Sequence, residues 1–260
     1  MTDKPIKLHW SSSKPNFGDC LSPLLVERLS GRTVKLASPR SCDLVALGSL
    51  LHRFKHNWWN KRVHVWGTGF IEAGDQVAHR HYYHALRGEL SQNRINGLED
   101  CVLGDPGLLS FMLLDKMPSK QWKLGLITHY EDANSPLVKE LIERHPHIKR
   151  IDIMAPVQQV LNDIARCEVI LSSAMHGLIA ADSLGVPNAW IELSNRVRGA
   201  GYKFADYYSA FGLEGVSPLT LSDELVSSGL DTIASEYQRP NIDLVKQKIA
   251  DAFPFKKTEI

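Results

Sequence analysis

Short apolar runs punctuate the chain and alternate with longer stretches whose apolar residues recur at helical spacing. Residues 6–10 alternate apolar and polar positions. A turn-rich loop then leads to a stretch carrying Leu21, Leu24, Leu25 and Leu29 and closed by Gly31. That pattern predicts a strand, a loop and a helix. Buried strands are predicted at 34–36, 44–47 and 63–66, the last two leaving through Gly48-Ser49 and Gly67-Thr68-Gly69. A polar helix is predicted from Arg87-Gly88 to Ile95, and a strand beginning at Cys101 leaves through the turn sequence Gly104-Asp105-Pro106-Gly107.

Beyond residue 121 the alternation becomes regular. Strands are predicted at 123–128, 148–153, 169–171 and 188–192, with helices at 135–144, 157–167 and 176–184. A short aromatic helix at 204–212 and an amphipathic helix at 243–253 follow. Strands alternating with helices of ~10 residues predict βαβ units and parallel sheets, an α/β fold. The stretch 115–121, with Pro118 and Ser119, is the best linker candidate. The expected division is 1–117 as one α/β domain, 118–240 as a second, and 241–260 as a helix packing back on one of them. A cleft between two such halves is the default ligand site.

Strand exits are where chemistry is expected. The apolar run 169–171 breaks at Ser172-Ser173 and restarts as a helix near His176, with Leu178, Ala181 and Leu184 in register and Gly185 and Pro187 as a stop. A strand feeding a helix aims first-turn N–H groups and the positive dipole end at the strand's carboxyl edge, a natural anion site. His176 there is either a proton-transfer group or a cap of the junction, and Ser172, Ser173, Met175 and Gly177 are its candidate binding neighbours. In the first loop Asn16, Gly18 and Asp19, with Lys14 beside them, stand where a βα loop meets a ligand, although Asp19 also suits an N-cap. Gly67 and Thr68 let backbone approach a ligand. Arg87 has Tyr83 and Ser91 at i±4 and so no local acidic partner, which favours anion binding. Between Glu192 and Asp206 lie Arg196, Arg198 and Lys203 and no carboxylate: a clamp for an anion or a solvated basic loop. The basic, aromatic stretch around Trp58 and Trp59 suits either sugar or base stacking or a surface loop with an aromatic anchor.

Composition narrows the classes. At 260 residues, 43% hydrophobic and 23% charged, the chain resembles an ordinary globular protein, and a net charge of +1 gives no global field for nucleic acid or an acidic membrane. The polar amino terminus lacks the apolar run of a signal peptide, and no stretch reaches the ~20 apolar residues of a membrane span. Cys20, Cys42, Cys101 and Cys167 are widely spaced, without C-x-x-C pairing, so reduced thiols and a cytoplasmic setting are expected, with no metal site. No Walker loop or G-x-G-x-x-G fingerprint is present.

Three stretches together resemble the polysaccharide pyruvyl transferase family, most closely its exopolysaccharide-type branch. They are Asn16-Phe17-Gly18-Asp19 with its Leu21-Ser22-Pro23 helix, Gly104-Asp105-Pro106, and the segment Ser172-Ser173-Ala174-Met175-His176-Gly177-Leu178-Ile179-Ala180-Ala181-Asp182-Ser183-Leu184-Gly185. The resemblance spans about residues 6 to 212, and its last segment is the most specific part. It implies two Rossmann-like domains in a glycosyltransferase-B-like arrangement, with phosphoenolpyruvate as co-substrate and a sugar diol or lipid-linked oligosaccharide as acceptor. The product implied is a pyruvate ketal on a surface or exported glycan. The family's histidine falls on His176, its expected general acid/base, and no cofactor or metal is implied. The setting implied is cytoplasmic, at the inner face of the cell membrane, with peripheral association through the acceptor. One departure is Ala174, where many members carry arginine, which leaves anion holding to Arg87, Arg196 and Arg198. A nucleotide-sugar glycosyltransferase would instead need an acidic ribose-binding residue, for which Glu192 is the candidate. A non-catalytic glycan- or anion-binding relative is the reading that Ala174 favours.

Overall fold

The computed structural model describes residues 4–13 and 16–257; Lys14 lies outside the described residues. Its contacts divide the chain into two compact units. One comprises residues 1–109, 201–216 and 240–260, and the other 110–200 and 217–239. The returning segment 201–216, which the sequence pattern left within 118–240, therefore belongs to the first unit.

The first unit contains strands β1 (Ile6–His9), β2 (Val34–Leu36), β3 (Leu44–Val45), β4 (His64–Trp66), β5 (Tyr82–Leu86) and β6 (Val102–Leu103). They form one sheet in the order β2-β1-β3-β4-β5-β6, every pair parallel. Helices α1 (Phe17–Ser30) and α2 (Glu89–Gln92) follow β1 and β5. Helix α1 starts because the Asn16 side chain accepts from the Asp19 N–H, and stops at Gly31 in the left-handed region (φ 64). Val45, Val65, Phe70 and Leu86 share a core with Leu51 and Phe54. Central parallel strands are covered on both faces, so they read as unbroken apolar runs. Strand β5, with the sequence Tyr-Tyr-His-Ala-Leu, escapes that signal: its first three residues are exposed or half-buried and only Ala85 and Leu86 are fully buried. The helix predicted across 87–95 shrinks to the single turn α2.

The second unit contains β7 (Trp122–Ile127), α3 (Pro136–Arg144), β8 (Ile148–Ile151), α4 (Val157–Ala165), β9 (Cys167–Ser172), α5 (Met175–Ser183) and β10 (Asn188–Glu192). Helix α6 (Ala200–Ser209) starts four residues before the aromatic run that marks it in the sequence. Then come β11 (Leu219–Thr220), α7 (Asp223–Ser228) and α8 (Leu230–Glu236), none of which the pattern anticipates, and finally α9 (Ile242–Asp251). The second sheet runs β11-β10-β9-β7-β8, again wholly parallel. Helix α9 returns to the first unit, where the Trp66 indole N–H donates to Ile249 O (2.9 Å) and its ring meets Phe253 at 4.7 Å. Each unit thus has a parallel sheet of the Rossmann-like α/β type, with helical crossovers from β7 to β10 in the second unit but only α1 and the single turn α2 between strands of the first.

Candidate functional site

In the second sheet β7 is flanked by β8 on one side and β9 on the other, so the connections from its middle run in opposite directions. The crevice outside the carboxyl ends of such strands is the standing ligand position in open α/β sheets. Register makes that edge even: Ile127, the last residue of β7, is the partner of Ser172, the last residue of β9.

Two serines shape the exit. Ser173 N donates to Ile127 O (3.0 Å), and Ser173 Oγ accepts from His129 N (2.9 Å), tying the loops after β7 and β9 together. Ser172 Oγ donates to Ala174 O (2.8 Å) and accepts from Ala174 N (3.1 Å), bending the chain into α5. Their hydroxyls thus build the junction. Gly177 is needed for packing: a Cβ there would stand 2.5 Å from Ser172 Oγ. Met175 is buried in the first turn of α5. From Val169 to Leu184 every residue is buried except one, His176. The junction therefore leaves one half-buried side chain in a buried run, an imidazole whose Nε2 is itself shielded from solvent, at the amino end of a helix beside the switch between β7 and β9.

The loops after β7 and β10 add groups that sequence reasoning passed over. Asp132 is 1% exposed, and its Oδ1 accepts from Ser194 Oγ (2.6 Å) and Arg196 Nη2 (3.0 Å). Arg196 Nε also donates to Ser194 Oγ (3.3 Å), while its side chain stays 60% exposed. A buried carboxylate thus aims a guanidinium that keeps an open face. Arg198 is exposed on the same loop, whereas Lys203 lies on α6 in the first unit. His129 directly follows the predicted strand 123–128, so its place at the carboxyl edge was readable from the sequence; the Asp132–Arg196 pairing, 64 residues apart, was not.

The first unit shows what became of its own candidates. Asn16 Nδ2 donates to Asp19 Oδ2 (2.8 Å), so Asn16 is the N-cap and Asp19 its reciprocal partner inside the first turn; Gly18 is buried between them. Burial pushes the Asp19 carboxyl up to about 6, against a hydrogen bond at the Asn16 backbone and the charge of Arg53. Thr68 is fully buried: its hydroxyl accepts from Leu50 N (3.1 Å) and donates to Gly48 O (2.9 Å), latching the exits of β3 and β4. Gly67 takes φ 83 against Pro106, where a side chain would strike the proline ring.

Arg87 departs furthest from expectation. It is 0% exposed, and its Nε pairs with Asp206 Oδ2 (2.9 Å), its Nη1 with Ser49 Oγ (2.6 Å) and its Nη2 with Phe70 O (2.5 Å). The acidic partner missing at i±4 comes from 119 residues away. With each of its nitrogens committed inside the unit, Arg87 is a structural tie, not an anion holder. Asp182, within the most specific motif, is likewise structural: it accepts from Tyr237 Oη (2.8 Å), Arg239 Nε (2.9 Å) and Asn188 Nδ2 (2.5 Å). Among the described residues no group of three metal-ligating side chains is present, and no helix is long and apolar enough to cross a membrane.

Comparison with known proteins adds the decisive observation: the polysaccharide pyruvyl transferase family model matches residues 4–195, well over half of the chain. The chain belongs to the polysaccharide pyruvyl transferase family. It is 26% identical over 232 residues to an uncharacterized protein of Acanthamoeba polyphaga mimivirus, covering 81% of this chain and 76% of that protein. It is 24% identical over 208 residues to the succinoglycan biosynthesis protein ExoV of Rhizobium meliloti, covering 79% of this chain and 64% of ExoV. The ExoV similarity agrees with the exopolysaccharide-type branch. The pyruvyl transferase match takes in both candidate strand exits, Asn16 to Asp19 and Ser172 to Gly177, and stops just before Arg196.

Proposed function

We propose that the protein transfers the pyruvyl group of phosphoenolpyruvate to a sugar diol of a surface or exported polysaccharide precursor, with His176 as general acid/base. The observation that carries this is the one half-buried side chain of the β9–α5 junction: a single imidazole in a buried run, at a helix amino terminus and a sheet switch point.

The chemistry asks for few parts. The C3 methylene of the enol donor takes up a proton, one acceptor hydroxyl adds to C2, and inorganic phosphate leaves. The second hydroxyl then closes the cyclic ketal and gives up its proton. An imidazole serves proton transfers in both directions near neutral pH. The donor's carboxylate and phosphate need oriented donors, for which the first-turn N–H groups of α5 and the open face of Arg196 are suited. Ala174 is a buried N-cap residue without a charge, which makes Arg196, aimed by Asp132 and Ser194, the preferred cation. The Asn16–Gly18–Asp19 turn belongs to the acceptor side in this scheme.

The test is phosphate release and ketal formation from phosphoenolpyruvate with a panel of diol acceptors. His176→Ala is expected to lower turnover by roughly 10²–10⁴-fold while the protein still melts cooperatively. Near-normal turnover would remove His176 from the mechanism. Donor-independent stability in the presence of phosphoenolpyruvate, with a shift from a nucleotide-sugar instead, would replace the donor assignment.

A further inference from the structure

Between Asp43 and Glu72 the first unit carries Arg53, Lys55, Lys61 and Arg62 and no carboxylate. In the middle of this segment a hydrogen-bonded turn, closed by Asn60 N donating to Asn57 O (3.1 Å), places Trp58 and Trp59 at its crest. The two indoles are 81% and 66% exposed and meet edge to face at 5.8 Å. The turn is braced from below. Arg80 Nε donates to Asn57 O (3.2 Å) and its Nη2 to Asn60 O, while Arg62 Nε donates to Arg80 O (3.0 Å). The His56 ring N–H bonds Ala78 O (3.1 Å) just ahead of the turn. Each feature argues for a built platform: backbone carbonyls held by a guanidinium, with the two largest apolar side chains displayed to water.

Beside the crest lies a cavity of about 580 Å³ lined by Arg40, Arg53, Lys55, Trp59, Lys61 and His81 among others. Lys61 is paired with Asp43 (2.7 Å), but among the described residues Arg40, Arg53 and Lys55 make no ion pair. Paired exposed aromatics mark an interaction site, and tryptophan with flanking lysine and arginine suits the headgroup level of a bilayer.

We propose that the Trp58–Trp59 turn docks the first unit on an anionic bilayer surface. The indoles enter the interface, and Arg40, Arg53 and Lys55 meet lipid phosphates. A second copy of this chain fits the patch poorly, because a two-fold contact would set like charges against each other. A neutral glycan would leave the three cations without a partner. Docking of this kind needs no spanning helix, and Trp58 and Trp59 have no part in the donor and acceptor assignments above, although the Arg53 charge also acts on the Asp19 carboxyl.

Co-sedimentation of the full chain with vesicles of phosphatidylcholine, alone or mixed with phosphatidylglycerol, tests it. Binding is expected to the anionic vesicles only, with a blue shift of tryptophan emission and weakening at high salt. The double variant Trp58→Ala/Trp59→Ala should bind at least about tenfold more weakly, and Arg53→Ala/Lys55→Ala should lose the preference for anionic lipid. Both variants alter exposed side chains, so their melting temperatures should match the parent. No binding to anionic vesicles, or binding unchanged by the tryptophan variant, overturns the proposal. So does saturable binding of a soluble oligosaccharide or a single-stranded oligonucleotide with vesicles ignored. Turnover on a water-soluble acceptor should be unaffected by the tryptophan variant. Its loss would transfer the indoles to the acceptor site and also overturn the docking role.

Discussion

Arg87 shows how a residue's job is set by what the fold brings to it. Its sequence neighbours leave it without a carboxylate, yet Asp206 is delivered from α6, and Ser91 donates to the same carboxylate through both N (2.8 Å) and Oγ (2.6 Å). Both charges are fully buried, so each depends on the other to offset desolvation. Arg87→Ala is expected to destabilise the first unit by about 3–5 kcal/mol, because the Asp206 charge stays behind without its partner. Hydrogen exchange of β5 and α6 reads this directly, and unchanged protection there would refute it. Arg87→Lys should fall between parent and alanine variant, since one ammonium cannot span three acceptors fixed by a planar fork. His176 is the contrasting case: its position at a strand–helix break was legible in the sequence because the pattern around it is local.

At the scale of elements, the β9–α5 junction works because three small residues close it. Ser172 brackets Ala174, Ser173 ties in the β7 exit, and Gly177 leaves room for Ser172 Oγ and for Ile127. Gly177→Ala places a Cβ 2.5 Å from that oxygen and 3.0 Å from Ile127 Cδ1, both belonging to the sheet edge. The helix start must then move away from the strand ends. A shift of about 1 Å at a reacting group costs on the order of 10²-fold in rate. Gly177→Ala should therefore lose turnover by roughly that factor, while overpacking costs about 1–3 kcal/mol of stability. Parallel turnover and melting measurements check this; full activity would show that the helix start tolerates displacement. The same scale explains which elements the sequence hid. Strand β5 lacks a buried apolar run, and β11, α7 and α8 are too short for a period to declare itself.

Across the whole molecule, the groups displaced by burial gather in the first unit. His9, His56, His64, His81 and His84 all have lowered pKa values, chiefly through desolvation, and His81 falls to about 4. His81 is further opposed by the charges of His56, Arg80 and Arg62. Its Nδ1 accepts from Val63 N (3.4 Å), which fits the neutral ring. A histidine whose folded pKa is depressed contributes stability that is full above about 6.5 and is lost as pH falls toward about 4. Asp19 and Asp105 run the other way. Burial raises them to about 6 and about 7, so their contribution is full below 3.8 and fades as pH rises through those values. Opposing slopes make the total pH profile a poor test, and a difference measurement is needed. The stability advantage of the parent over His81→Asn should shrink steadily between pH 6.5 and 4. Melting temperatures of both proteins across that interval decide it, and a constant gap would contradict the assignment.

What the sequence determined by itself was the local grammar. Apolar runs separated by helical periods declared two α/β units, and Asn16-Phe17-Gly18-Asp19 and Ser172 to Gly177 declared two strand exits, because periodicity, caps and turns involve residues close in the chain. Tertiary structure decided which charged residues are spent on stability and which are displayed. Arg87 and Asp182 are consumed by partners 119 and 57 residues away, Arg196 is steered from 64 residues away by Asp132, and Trp58 and Trp59 are held into solvent by Arg80. Burial and long-range pairing set the cost of each charge, and neither quantity exists until the sheets have formed.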